Sequence, residues 1–183
     1  MLWAKANSMS PNALSGSVLL LDLQQAILHR MDRLAARFGR KSRLPAHLLT
    51  GFRGEEEALF FLRRQGFTIV ARRWSTPKLR GDVDLIAWDA DWLCFVEVKT
   101  RTARDLYPAK YAVDPAKQER LRRLARVYLK GFPQERRQRI LVRFDVVSVY
   151  LIASEEKDGK EKVECELIQS AFPRWEEPRR EFR

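Results

Sequence analysis

The chain has 183 residues, of which 35 are Lys or Arg and 24 are Asp or Glu, so its formal net charge is +11. A hydrophobic content of 45% with only eight glycines and eight prolines excludes collagen-like, low-complexity and wholly disordered proteins. Two cysteines, Cys94 and Cys165, are too few for a disulfide framework or a four-cysteine zinc site, so we expect a cytoplasmic protein.

The first 50 residues are predicted to form an extension with one amphipathic helix, over about 16–40, and a linker at 41–45. Apolar residues recur there at helical spacing, at Leu20, Leu23, Ile27, Met31, Leu34 and Phe38. Four arginines decorate the rest of this helix. Two interpretations remain open: the helix packs on the main domain or on a second copy in a homodimer, or its basic face contacts nucleic acid or a membrane.

The main domain is predicted to span residues 51–172, followed by a charged tail at 173–183. Its predicted elements are a helix at 53–65, strands at 67–72, 83–88 and 93–99, a helix at about 115–130, and strands at 143–152 and 162–168. Gly66 ends the first helix, and Asp114 followed by proline begins the second. The order α-β-β-β-α-β-β indicates an α/β (α+β) fold.

Acidic residues occur in two strands that are otherwise apolar. Strand alternation places Asp82 and Asp84 on one face of their strand, and Glu97 and Lys99 on one face of the next. Inward charges are costly unless they are paired or bind a metal. Asp84 and Glu97 are oxygen ligands suited to Mg²⁺ or Mn²⁺, and Lys99 could orient an attacking water. The alternative is a structural Glu97–Lys99 ion pair, with Asp84 as a strand-end cap.

Each predicted helix directs one charged residue inward. At 100° per residue, Glu55 falls within the apolar stripe of the first helix, whereas Glu56 and Glu57 do not. Glu55 is therefore either a cap of the helix dipole or a further metal ligand. On the second helix Lys117 points along the stripe and is expected to have an anionic neighbour, whereas Arg122 and three further basic residues are predicted to point away, at Arg123, Arg126 and Lys130.

The basic charge is concentrated in residues 101–143, which carry thirteen basic and four acidic residues. This excess predicts a nucleic-acid partner rather than a membrane surface. Our candidate residues for contact with the phosphate backbone are Arg101, Arg104, Lys110, Arg120 and Arg123.

Other chemistry-bearing residues have simpler interpretations. His29 and His47 lack paired ligands in the sequence, and Cys94 is predicted to lie on the strand face opposite Glu97. Asp145 is expected to form a structural pair with Arg143, although it could also brace the site. Three aromatic residues in predicted basic loops either pack locally or stack on unpaired bases, namely Trp74, Tyr107 and Tyr111.

Seven short motifs occur in a fixed order: Gly54-Glu55-x-x-Ala58-x-x-Phe61-Leu62, Gly66-Phe67-x-Ile69, Gly81-Asp82-Val83-Asp84-Leu85-Ile86, Phe95-Val96-Glu97-Val98-Lys99-x-Arg101, Lys117-x-x-x-Leu121, Arg143-Phe144-Asp145-Val146-Val147 and Ala171-Phe172. Over residues 51–172 they resemble the YraN family of largely uncharacterised bacterial proteins. That family is placed in the restriction-endonuclease-like, PD-(D/E)XK nuclease superfamily, near the archaeal Holliday-junction resolvases.

The resemblance implies an αβββαβ core with a central mixed sheet and a divalent-metal phosphodiesterase site. By position, Asp84, Glu97 and Lys99 match the catalytic triad of the superfamily. Glu55 matches the first-helix acid of resolvase-like members, and Lys117 matches the second-helix lysine of the family. Asp82 stands where the family usually has Glu, so that supporting carboxylate is one methylene shorter.

We therefore expect a metal-dependent endonuclease that acts on DNA, with branched or structured DNA as candidate substrates. A non-catalytic nucleic-acid-binding module on the same scaffold is the alternative. A third hypothesis is an interaction protein that dimerises through its N-terminal helix.

Overall fold

A computed structural model of the chain describes residues 20–27, 45–102, 113–152 and 162–174. The chain divides into two compact units, Met1–Pro45 and Ala46–Arg183. In the first unit, residues 20–27 form a helix, α1, within the predicted helical segment. The rest of that predicted helix, with His29 and most of the linker, lies outside the described residues.

The second unit contains the predicted order of elements and one further short helix. The elements are α2 (Ala46–Arg64), β1 (Thr68–Thr76), β2 (Leu79–Asp89), β3 (Trp92–Arg101), α3 (Pro115–Leu129), α4 (Gln134–Arg139), β4 (Leu141–Ile152) and β5 (Lys162–Phe172). The sequence prediction missed α4 and began α2 too late, near residue 53. At the start of α3, the Asp114 carboxylate accepts a hydrogen bond from the backbone of Lys117 at 2.9 Å, as predicted for an N-cap.

The five strands form one mixed sheet in the order β1-β2-β3-β4-β5. β3 and β4 are parallel, and the other three pairs are antiparallel. A parallel pair requires a crossover connection, and the chain between β3 and β4 includes α3 and α4. The predicted α/β fold class with a central mixed sheet is confirmed, and the arrangement is consistent with a restriction-endonuclease-like core.

Helices cover the two faces of the sheet. α3 packs its buried Leu121 and Leu124 into a core cluster with Phe95 and Phe144 of the central strands. α2 contacts β3, β4 and β5, and its Leu62 is fully buried. Each buried leucine or phenylalanine side chain contributes roughly 1.5–3 kcal/mol of burial free energy, so these layers hold the central strands rigidly.

Two charged residues predicted to face solvent are buried instead. The Arg122 side chain is 4% exposed, because its guanidinium donates to the backbone oxygen of Pro173 at 3.1 Å and lies over Phe172. Glu57 is also buried, because α2 contacts β5 as well as the central strands. Burial, with the charge of Glu57, raises the pKa of the Cys165 thiol to about 11.

Candidate functional site

The site lies beside a break in the alternation of β1 and β2, where residues three positions apart point to the same side of the sheet. Along β1, Ala71 and Trp74 both pack against the α3-side core, three residues apart instead of the two that alternation requires. Ile86 and Val83 of β2 show the same spacing. Arg73, which lies between the two β1 residues, has a positive φ of 47°, a conformation that non-glycine residues rarely adopt. The paired strands therefore change phase together beside Asp84.

Asp84 occupies the point where the pairing of β2 with β3 stops. The last paired residues are Leu85 and Val96, and the Asp84 Oδ2 atom then accepts a hydrogen bond from the Val98 amide at 2.7 Å. Burial, reinforced by the charge of Glu97, raises the pKa of the Asp84 carboxyl to about 7. The hydrogen bond thus fixes the Asp84 carboxyl group against β3.

Glu97 is the buried acid of the site, with a side chain that is 4% exposed. Its Oε1 atom lies 3.1 Å from Lys99 Nζ, and its Oε2 atom lies 2.8 Å from Lys117 Nζ. Oε2 has no hydrogen bond of regular geometry, although it is buried. The predicted inward orientation of Lys117 is therefore what the structure shows, with Glu97 as its anionic neighbour.

Lys117 remains charged in this setting. Burial acts to lower the pKa of its ammonium, but the 2.8 Å contact with the charged Glu97, together with the charges of Asp84 and Asp82, raises it overall. The charged Lys117 ammonium therefore forms an ion pair with the Glu97 carboxylate inside the protein.

Glu55 approaches from α2, and its side chain is 15% exposed. The helix lies close to β3 at Gly54, where the absence of a side chain leaves room for Thr100. A Cβ atom at this position would overlap the Thr100 side chain. Burial raises the pKa of the Glu55 carboxyl, and the nearby Arg73 guanidinium acts against that rise. Arg73 Nε lies 3.7 Å from Glu55 Oε2 and 3.8 Å from Asp82 Oδ2, so it stands between two acids.

A cleft of about 440 Å³ brings three of the predicted acids together. Its lining residues come from α2, β2, β3 and the position that follows β3: Thr50, Gly51, Glu55, Asp84, Glu97, Val98, Thr100 and Thr102. Asp82 is linked to this group through Arg73. The proposed acids therefore share one site, whereas Lys99 and Lys117 contact it through Glu97.

The donor set suits a hard divalent cation with water in its coordination sphere. Carboxylate oxygens are the ligands that Mg²⁺ and Mn²⁺ prefer, and Mg²⁺ commonly binds through only one or two carboxylates. Within the described ranges, no three His, Cys, Asp or Glu side chains are close enough to enclose an ion. Asp84 and Glu97, with its poorly satisfied Oε2, fit a water-rich site rather than a closed cage.

The other predicted site residues have different outcomes. Arg101 is partly buried and Arg120 is exposed. The Arg123 side chain is 61% exposed and is bound to Glu119 at 3.1 Å. Arg104 and Lys110 lie outside the described residues, as do the aromatic residues at 107 and 111. No helix in the described part of the chain is both long and apolar enough to cross a bilayer.

Two of the simpler interpretations are confirmed. Trp74 lies in β1, not in a loop, and packs edge-on against Tyr128 with ring centroids 5.2 Å apart. Arg143 Nε contacts both carboxylate oxygens of Asp145, at 3.0 and 2.9 Å, as expected for a structural pair. Trp74, Arg143 and Asp145 do not line the cleft.

Sequence reasoning missed Arg73 and its neighbour Phe52, whose ring centroid lies 4.4 Å from the Arg73 guanidinium carbon. A local signal was present. Ala71 and Trp74 are spaced by three residues, which breaks the alternation expected of a strand and marks the change of phase.

Comparisons with known proteins identify relatives over the same part of the chain. The model of "Uncharacterised protein family UPF0102" matches residues 54–149. A UPF0102 protein of Koribacter versatilis (strain Ellin345) is 47% identical over 128 residues, which cover 70% of this chain and 82% of the relative. Those of Symbiobacterium thermophilum and Acetivibrio thermocellus are 42% and 38% identical, over 67% and 65% of this chain and 94% and 87% of the relatives. These names state the family and no activity.

Proposed function

This chain belongs to the UPF0102 (YraN-like) family, and we propose that it is a divalent-metal-dependent endonuclease that hydrolyses phosphodiester bonds in DNA. The observation that carries the proposal is the buried Glu97, held by two lysines beside Asp84 at a cleft that Glu55 also lines. Burying a carboxylate and two ammonium groups is costly for stability alone, and perturbed acids in a cleft are typical of functional sites. Branched or structured DNA is the candidate substrate class.

The acids would hold Mg²⁺ or Mn²⁺, with Asp84 and Glu97 as the direct ligands and Glu55 completing the site through coordinated water in the same cleft. Such an ion activates water at neutral pH and offsets the charge that develops on a phosphate during hydrolysis. Asp82 does not line the cleft, but its carboxylate lies beside Arg73 and would support the site through that arginine.

The two lysines would have separate roles. Lys99 contacts Glu97 at 3.1 Å and its side chain is 32% exposed, so its ammonium can reach both the acid and a water or phosphate at the cleft. Lys117 is 20% exposed and contacts the other oxygen of Glu97, so its role is to orient that carboxylate. We therefore assign the attacking water to Lys99 and the positioning of Glu97 to Lys117.

Five basic residues of the 101–143 segment would bind the DNA backbone. Arg101 follows the cleft-lining Thr100 on β3, and Arg120 is exposed on α3 near Gly81. Arg123, Arg104 and Lys110 complete the proposed set. Contacts of this kind release counterions, so DNA affinity should fall steeply as salt is raised.

Cleavage of labelled duplex, single-stranded and four-way-junction DNA tests the proposal. The assay uses Mg²⁺, Mn²⁺ or EDTA, with Asp84→Asn and Lys99→Met as active-site variants and Asp91→Asn as a control at an exposed turn. We expect metal-dependent cleavage that falls at least about 100-fold in both active-site variants and is unchanged in the control. Equal activity of the wild type and Asp84→Asn would refute the enzyme.

A non-catalytic DNA-binding module is the second candidate. The contacts of both lysines with Glu97 favour it, because the two ammonium groups balance the carboxylate charge without a metal ion. It predicts salt-sensitive DNA binding in EDTA, with no metal-dependent cleavage on any substrate in the same panel.

A further inference from the structure

We propose that Arg73 binds a phosphate of the nucleic-acid backbone at the edge of the cleft, as a substrate-binding residue. The assignment rests on the proposed function, because it takes a phosphodiester as the ligand. It adds a residue from β1, a strand that supplies none of the cleft lining.

The backbone holds Arg73 in an unfavourable conformation at this place. Its φ of 47° lies in the left-handed region, although the residue is inside a paired strand and is not glycine. The pairs Arg72–Leu85 and Trp74–Val83 bracket it, so Arg73 lies across the ladder from Asp84. Backbone strain of this kind concentrates at functional sites, where it directs a side chain.

The neighbours of Arg73 orient its side chain without forming close hydrogen bonds to its Nε atom. Its guanidinium stacks over the Phe52 ring at 4.4 Å, which fixes the plane of the group. Its Nε atom lies 3.7 and 3.8 Å from the nearest oxygens of Glu55 and Asp82, beyond the range of a hydrogen bond. The side chain remains 49% exposed.

Arg143 shows what a structural arginine looks like in the same protein. Its side chain is 10% exposed, and it makes close contacts with Asp145 at 2.9 and 3.0 Å and with Asp89 at 2.7 Å. Its donors are directed into fixed carboxylates inside the sheet. Arg73 differs in exposure and in contact length, although two acids flank it as well.

Phosphate is the ligand that fits this arrangement. A planar guanidinium donates two parallel hydrogen bonds to phosphate oxygens, which gives both affinity and orientation. The acids of the cleft repel a polyanion, so a nearby cation is needed to bring the backbone to Asp84 and Glu97. Two flanking carboxylates hold Arg73 in place electrostatically while about half of its side chain stays exposed to solvent.

The test measures DNA binding in EDTA, where no cleavage occurs, by fluorescence anisotropy with a labelled four-way junction over a series of salt concentrations. Arg73→Gln removes the charge, and Arg73→Lys keeps the charge without the planar fork. Arg72→Gln is the matched control, because it removes the same charge from the adjacent exposed residue of β1. Melting temperatures show whether each variant is folded.

We expect Arg73→Gln to weaken binding about tenfold and to reduce the slope of log affinity against log salt by about one, with Arg72→Gln within about twofold of the wild type. Arg73→Lys should retain the slope but lose part of the affinity. Equal effects of Arg73→Gln and Arg72→Gln, or an unchanged slope in Arg73→Gln, would overturn the assignment. If Arg73→Gln does not fold, a wild-type affinity and slope in Arg73→Lys would overturn it instead.

The assignment and the proposed function fail in different ways. Wild-type protein that binds and cleaves DNA, with unchanged KM and affinity in Arg73→Gln, removes Arg73 from the site but leaves the nuclease intact. Wild-type protein that binds no DNA in the panel removes both.

Discussion

Two buried carboxylates in adjacent parallel strands of this sheet have opposite surroundings. Asp145 of β4 is fully buried and accepts two contacts from Arg143 and one from the backbone of Ser170 at 2.9 Å. Arg143 in turn bonds Asp89 at 2.7 Å. Glu97 of β3 is almost as buried but contacts only the flexible ends of lysines among its described neighbours, and one of its oxygens has no regular hydrogen bond.

The difference distinguishes a structural ion pair from a site. Around Asp145, a planar arginine and a backbone amide satisfy the charge with fixed geometry, so a further ligand would displace good bonds. Around Glu97, the ammonium groups balance the charge but leave coordination capacity beside a cleft and a second acid, Asp84. Burial of a carboxylate does not by itself indicate a ligand-binding site. The completeness of its hydrogen bonds is the more informative property.

Replacing the basic side chain that pairs with each carboxylate should give the largest difference between the two clusters in the free energy of unfolding. Arg143→Met leaves the Asp145 charge buried and unpaired, so we expect a loss of about 3–5 kcal/mol in the free energy of unfolding. Lys99→Met should lose less than about 1 kcal/mol, because Lys99 is one-third exposed and Lys117 still contacts Glu97. Urea denaturation at pH 7 in EDTA measures both, and equal losses would contradict the distinction.

A smaller effect concerns pH and Asp84. Because the pKa of this carboxyl rises from 3.8 to about 7 on folding, the native state binds more protons than the unfolded state between those values. The contribution of Asp84 to stability therefore falls as pH rises through this window and stays low above it. In Asp84→Asn this dependence is absent, while the amide oxygen can still accept the Val98 bond.

The measurement is the free energy of unfolding in EDTA at pH 5 and pH 8. We expect the advantage of Asp84→Asn over the wild type to be larger at pH 8 by at least about 1 kcal/mol. Asp91→Asn, at an exposed turn, is the control and should show no such change. A difference between Asp84→Asn and wild type that is the same at both pH values would show that Asp84 titrates normally.

Much of the fold and part of the site could be predicted because their signals are local. β2 and β3 are apolar runs with inserted acids, and the helical period correctly directed Lys117 inward. The juxtaposition of Glu55, Asp84 and Glu97 at one cleft follows from a helix and two strands whose order was predicted.

The missed features depend on contacts that the local pattern does not encode. α4 (Gln134–Arg139) consists only of polar residues, so it has no apolar stripe to reveal it. Arg122 is buried by Pro173, which lies 51 positions along the chain. The spacing of Ala71 and Trp74 indicates the break in alternation, but the left-handed conformation of Arg73 depends on the pairing of β1 with β2 and is visible only in the sheet.

The central proposal is that the Glu97 cluster binds a divalent metal ion whereas the Asp145 cluster does not. Titration of Mn²⁺, with the free ion followed by electron paramagnetic resonance, tests it without any substrate. We predict saturable binding by the wild type and by Asp91→Asn, at least about tenfold weaker binding by Asp84→Asn and Glu97→Gln, and a rise in melting temperature with Mn²⁺ only where it binds. Equal Mn²⁺ affinity in the wild type and Asp84→Asn, or no binding by either, would contradict the claim.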